Sequence, residues 1–203
     1  MHYPDFFDAI PRLRVRDPLA DFLGAAEGGV IEYRYVDAVK LAGHSCPTVA
    51  SAYWLTRLAL GALYCASLPE RGGVQVSFRD SRVEGVTGVI ANVVSLLTGA
   101  TTDTGFKGLA GRFDRRELLA FDTGQAMDLR FTRRDTGASV DAMARLRDVP
   151  ADPQMAPLMQ RCLAGKASVD EAGRFRDLWQ DRVRRVLLEH GDDPEVFIIR
   201  HVD

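Results

Sequence analysis

With 203 residues, 46% of them apolar and 27% charged, the chain has the composition of one globular domain, or of one domain with an attached extension. Its 26 Lys+Arg against 28 Asp+Glu leave a net charge of −2, which excludes a bulk basic surface for nucleic acid. Three cysteines give no disulfide framework, and the N-terminal MHYPDFFDAIPRLR lacks the basic and apolar blocks of a secretion signal; both features predict a cytoplasmic protein.

In chain order, residues 5–24 read as one or two short helices broken at Pro11 and Pro18. Val30–Val36 alternates, with Ile31, Tyr33 and Tyr35 on one face, and predicts a strand. Residues 47–66 follow as an apolar helix. PTVASAYWLTRLALGALYCASL is long enough to suggest a membrane span, but Arg57 falls at its centre. An arginine there costs about 2.5–3.5 kcal/mol on insertion, so the segment reads as the buried central helix of a domain that has no membrane partner.

Val74–Arg79 is a period-two strand with Val74, Val76 and Phe78 inward. Residues 85–98 carry Val86, Val89, Ile90, Val93, Val94 and Leu97 at helical spacing, and Gly99 supplies a stop. A Gly/Thr loop over 98–108 precedes GRFDRRELLAFD, an arginine-bearing strand or turn, and residues 126–132 alternate again. From 137 onward the texture predicts helices, over Ser139–Arg147, Pro153–Leu163 and, opened by the capping box Ser168-Val-Asp-Glu171, on to His190. Residues 195–199 close as a strand. The fold class is therefore α+β: a mixed or antiparallel sheet with a buried central helix, plus a C-terminal helical extension. DVPADP at 148–153 reads as a connector, which divides the chain into a domain of residues 1–148 and an extension of residues 149–203 with a terminal strand.

LAGHSCPTVA, residues 41–50, is where chemistry concentrates. If the turn is extended, residues two apart point the same way, and His44 and Cys46 offer a nitrogen and a sulfur to one metal ion. Pro47 suits the first helical position, which places Cys46 at the N-cap, beside free N–H groups that favour a thiolate. The bland alternative is a small cysteine packed before a helix. No second C-x-x-C or H-x-x-x-H completes a closed zinc quartet, so any site is open. Cys65 and Cys162 read as structural.

GHSCPTVASAYWLTRLAL, residues 43–60, resembles the G-H-x-C-P-G segment and following helix of the formylmethanofuran dehydrogenase E-subunit family. VTGVIANVVSLLTGATTDTGFKG, residues 86–108, resembles that family's second segment, an apolar helix ending in T-G-C-T-x-G-K-G. The resemblance covers about residues 30–135, as a divergent member: the family's cysteine stands here as Ala100, its G-K-G as Asp103-Thr104-Gly105, and a histidine two residues before the motif as Ala42. It implies an α+β domain that binds a transition metal, zinc first with nickel or iron as alternatives, through His44 and Cys46. Glu84, Thr101, Asp103 and Lys107 are then the further ligands or pocket residues, with the 98–108 loop as the opposite wall.

An open zinc polarises a carbonyl or lowers the pKa of bound water to about 7, yet no residue stands out as a general base. Whether the chain is an enzyme is left open. The rival readings are a non-catalytic module that binds a metal, metallocofactor or small molecule for a redox-enzyme partner, and a metal-free thiol enzyme using Cys46. The stripe Phe175, Leu178, Trp179, Arg182, Val183, Val186 and Leu187 predicts a homodimer contact, with packing onto the chain's own sheet as the alternative.

Overall fold

The computed structural model describes residues 2–202. Alternation decides the first elements. Leu13 and Val15 are buried while Arg14 and Arg16 are exposed, so Leu13–Arg16 forms a strand, β1. It pairs antiparallel with β2, Val30–Tyr33. The expected helices over 5–24 are thus corrected: Asp5–Ala9 is a single 3-10 turn, and only Pro18–Phe22 is α-helical (α1). Pro11 and Pro18 bracket a run too short for a helix, and period two wins inside it.

β2 stops before the predicted end of its strand. The backbone N–H of Arg34 donates to Asp37 Oδ2 at 2.8 Å and starts α2, Tyr35–Ala42. α3, Pro47–Tyr64, is the buried central helix. Apolar residues such as Val49, Tyr53, Trp54 and Leu60 cover several faces of it, and each is at most 2% exposed. Arg57 escapes burial by laying its guanidinium 4.8 Å from the centre of the Trp54 ring. No helix among the described residues is long and apolar enough to cross a membrane.

A five-stranded mixed sheet backs α3. Its strands are β3 (Val74–Phe78), β4 (Leu119–Ala120), β5 (Leu129–Arg133), β6 (Ser139–Ala144) and β7 (Phe197–Val202). The spatial order is β4-β3-β5-β6-β7, with β3 and β4 parallel and the other pairs antiparallel. α4, Thr87–Thr98, packs against α2 and α3. The helix expected over Ser139–Arg147 is instead β6 followed by a 3-10 turn at Leu146–Asp148. Val140 and Ala142 are fully buried at a spacing of two, between β5 and β7. Pairing on both edges overrides the weak helical preference of SVDAMA.

The segment after 148 holds α5 (Met155–Leu163) and α6 (Val169–Arg184), the latter continued by a π-helical turn over Arg185–Glu189. The capping box at its start forms: Ser168 Oγ accepts from the N–H of Glu171, and Glu171 Oε2 accepts from the N–H of Ser168 at 2.8 Å. Of the apolar stripe, Leu178, Val183, Val186 and Leu187 are buried within this chain. β7 then returns to pair with β6 along six residues, so the C-terminal segment completes the sheet begun by the earlier strands.

Candidate functional site

α2 ends at Gly43, whose φ of +74° is left-handed and reverses the chain into the His44–Ser45 turn. Cys46 is extended (φ −148°) and N-caps α3, with Pro47 at the first helical position. Its Sγ accepts from the N–H of Val49 at 3.5 Å, and the residue is 8% exposed. Cysteine here takes the place of a serine cap. Because serine is the better cap, Cys46→Ser is expected to leave stability within about 1 kcal/mol of wild type, whereas Cys46→Ala loses about 1 kcal/mol. Urea unfolding checks both, and a much larger loss in Cys46→Ser would assign the sulfur a packing or bonding role beyond the cap.

His44 is exposed on one side, and its Nδ1 lies 2.9 Å from the carbonyl oxygen of Ala42. A carbonyl only accepts, so Nδ1 carries the proton and the neutral ring keeps its lone pair on Nε2. Ser45 is held from three directions. Its Oγ donates to Gln180 Oε1 at 3.0 Å and so accepts from the Tyr35 hydroxyl, also at 3.0 Å. Its carbonyl oxygen accepts from Trp179 Nε1 at 2.9 Å and Gln180 Nε2 at 3.3 Å. Burial pushes the Tyr35 phenol well above the ordinary tyrosine range, and the Ser45 hydrogen bond only partly offsets it. Tyr35 therefore stays a neutral hydrogen-bonding group rather than a base.

These contacts clamp α6 onto the turn and leave a cleft of about 460 Å³ between them. Tyr3, Phe7, Val39, Phe175 and Trp179 make its walls largely apolar, and His44 and Arg176 stand among them. The Phe175 and Trp179 rings lie 5.7 Å apart, and Phe7 meets Tyr35 edge-on at 4.9 Å. His44 and Ser45 face the cleft, with Cys46 behind them in the cap.

The wall opposite His44 is α6, where the sequence pointed to the 98–108 loop. Thr101 lines a different cleft, of about 620 Å³, across which stand Gly88 and Asn92 of α4. Its hydroxyl donates to the Arg115 carbonyl at 2.6 Å. Glu84 lines a third, smaller cleft beside Arg79 and Asp128, and Asp103 and Lys107 are exposed on the loop. Ser45 and Gln180 are site residues that the sequence does not single out, and Trp179 is legible there only as part of the α6 stripe. The one signal of this wall is the aromatic pair Phe175/Trp179, four residues apart on a helix.

Among the described residues no group of three or more His, Cys, Asp and Glu side chains is placed to hold a metal ion. At the turn itself the chain offers two donors, Nε2 of His44 and the Cys46 sulfur, which also accepts from the Val49 N–H. The chain's own side chains therefore do not fit a complete tetrahedral centre.

No protein-family model matches the sequence, and no curated protein does. Among solved structures, the chain is similar to a tungsten formylmethanofuran dehydrogenase E-subunit-like (FmdE-like) protein from Syntrophus aciditrophicus, at 18% identity and a TM-score of 0.44, over 84% of this chain and 73% of that one.

Proposed function

We propose that the chain is a small-molecule-binding module whose ligand lies in the α6 cleft and presents an electron-pair acceptor to Nε2 of His44. The observation that supports this most is the pairing of largely apolar, partly aromatic walls with a single imidazole whose tautomer is set by a backbone carbonyl. The Tyr35–Ser45–Gln180–Trp179 network holds the turn rigid before any ligand arrives. A flat, mostly apolar ligand fits such walls. Its acceptor end is either an N–H or O–H group or a transition metal that the ligand itself carries, and Arg176 favours an acidic substituent.

A second reading keeps zinc, or nickel or iron, on His44 and Cys46 directly. It is favoured by the carbonyl-held Nδ1, which is the arrangement that orients metal-bound histidines, and by the free thiol two residues away.

Two titrations of the full chain separate the readings. Anilinonaphthalenesulfonate, a flat apolar anion, is expected to bind saturably and quench Trp179, with affinity falling about tenfold in Phe175→Ala and in His44→Ala. Zinc chloride is then followed by equilibrium dialysis. Stoichiometric zinc that is lost in Cys46→Ser supports the second reading. Non-saturable dye binding, or dye binding untouched by both cleft substitutions, would reject the first.

A further inference from the structure

Beside the start of α1 lies a fourth cleft, of about 430 Å³, whose lining is dominated by arginine: Arg16, Arg71, Arg112, Arg115 and Arg134, against Glu70 and Asp114. At its floor two guanidinium groups share one buried carboxylate. Asp17 is 4% exposed; its Oδ2 accepts from Arg71 Nη1 at 2.9 Å and its Oδ1 from Arg115 Nη2 at 2.6 Å. Oδ1 also accepts from the N–H groups of Leu19 and Ala20, so Asp17 has little capacity left for a further donor.

The consequence falls on Arg115. It is 5% exposed, and its Nη1 is buried without a hydrogen-bond partner, which is the one such side-chain atom among the described residues. The backbone closes tightly over this group. A Cβ built on Gly72 or on Gly99 would stand 2.5 Å from Nη1, so both positions are glycine to let the guanidinium pass. A buried cation with incomplete compensation is costly, and nearby anions are its remedy.

The rim adds charge in the same sense. Arg16 reaches Glu70 at 3.5 Å and Asp21 at 3.6 Å, and Asp114 is held by Arg116 at 2.8 Å. Arg112 lies over the Phe113 ring, and Arg134 donates to the Gly72 carbonyl, so neither forms an ion pair among the described residues. The cleft thus keeps at its mouth two guanidinium forks outside any direct ion pair, of which Arg134 also acts on Asp114 through its charge, and a surplus positive charge at its floor.

We propose that this cleft binds the phosphate or diphosphate group of a small organic molecule. Several guanidinium forks converging from different segments suit a tetrahedral dianion better than a single planar carboxylate. The volume exceeds what a phosphoryl group needs, and Pro18 and Phe113 supply an apolar flank for the organic remainder. This site is independent of the His44 cleft.

Inorganic pyrophosphate is the probe, titrated by isothermal calorimetry into the full chain, with citrate as the carboxylate comparison. One saturable site is expected for pyrophosphate, weakening with added salt. Arg112→Gln and Arg134→Gln, both exposed and remote from the core, are each expected to weaken it about tenfold, since hydrogen bonds to charged groups are individually strong. His44→Ala should leave it unchanged. Absence of saturable pyrophosphate binding, equal affinity for citrate, or full affinity retained in both arginine variants would each overturn the assignment.

Discussion

Asp17→Ala is expected to lower the unfolding free energy by about 3–5 kcal/mol, because it strands the buried guanidinium of Arg115 and takes the carboxylate from the partly buried Arg71. Asp17 N-caps α1, and its two oxygens tie the loop around Arg71 and the segment around Arg115 to the end of β1. Burial alone would raise its carboxyl pKa, but the Arg71 hydrogen bond, the Arg115 charge and the Ala20 N–H outweigh it and hold the value below the ordinary carboxylate range. A depressed folded pKa contributes stability that is present above the unfolded value of about 3.9 and is lost as pH falls through the folded value. Wild type should therefore lose this contribution below about pH 4, and Asp17→Ala should show a flatter acid limb. Urea unfolding across neutral and acid pH measures both. A loss under about 1 kcal/mol at neutral pH would mean that solvent, and not Asp17, neutralises the two arginines.

Trp54→Ala is expected to cost about 3–5 kcal/mol through the cavity it leaves in α3. Its effect should travel further than volume alone predicts. Trp54 Nε1 donates to the carbonyl of Gly191 at 2.5 Å, and a Cβ on Gly191 would lie 2.5 Å from the indole ring. The indole is thus the surface on which the chain lands as it leaves the π-helical turn. Trp54→Phe keeps most of the ring and removes the donor, so about 1–2 kcal/mol is expected. If the contact positions α6, both variants also alter the environment of Trp179, which near-ultraviolet circular dichroism reads after the Trp54 signal itself is subtracted. Unchanged Trp179 signals with a full stability loss would confine the role of Trp54 to core volume.

What could be read in advance follows the strength of local patterns. α3 is legible because its apolar run is long and has no polar face, and α6 because a capping box opens it. The Cys46 cap follows from Cys-Pro alone. β6 is illegible for the opposite reason: SVDAMA has no strong strand former beyond Val140, and its state is set by β5 and by β7, far along the chain. α2 hides because Tyr35 and Val36 extend the alternation of β2, while Asp37 ends it with one hydrogen bond. At the site, the His44 turn is visible in sequence, but its opposite wall is supplied by α6 from more than a hundred residues away, and no local pattern carries that. The arginine cleft is hidden in the same way, since Asp17, Arg71 and Arg115 are brought together only by the fold.

The antiparallel pairing of β6 with β7 bears on synthesis as well as on shape. β6 spans residues 139–144, and its outer edge is covered only when residues 197–202 return to it. During translation, α5 and α6 must emerge and dock before that edge can close. Until then the nascent sheet presents open backbone donors and acceptors beside Val140 and Ala142. The chain passes through a window of exposure that a chaperone guarding unpaired strands would shorten, and in which a second nascent copy could pair in place of β7.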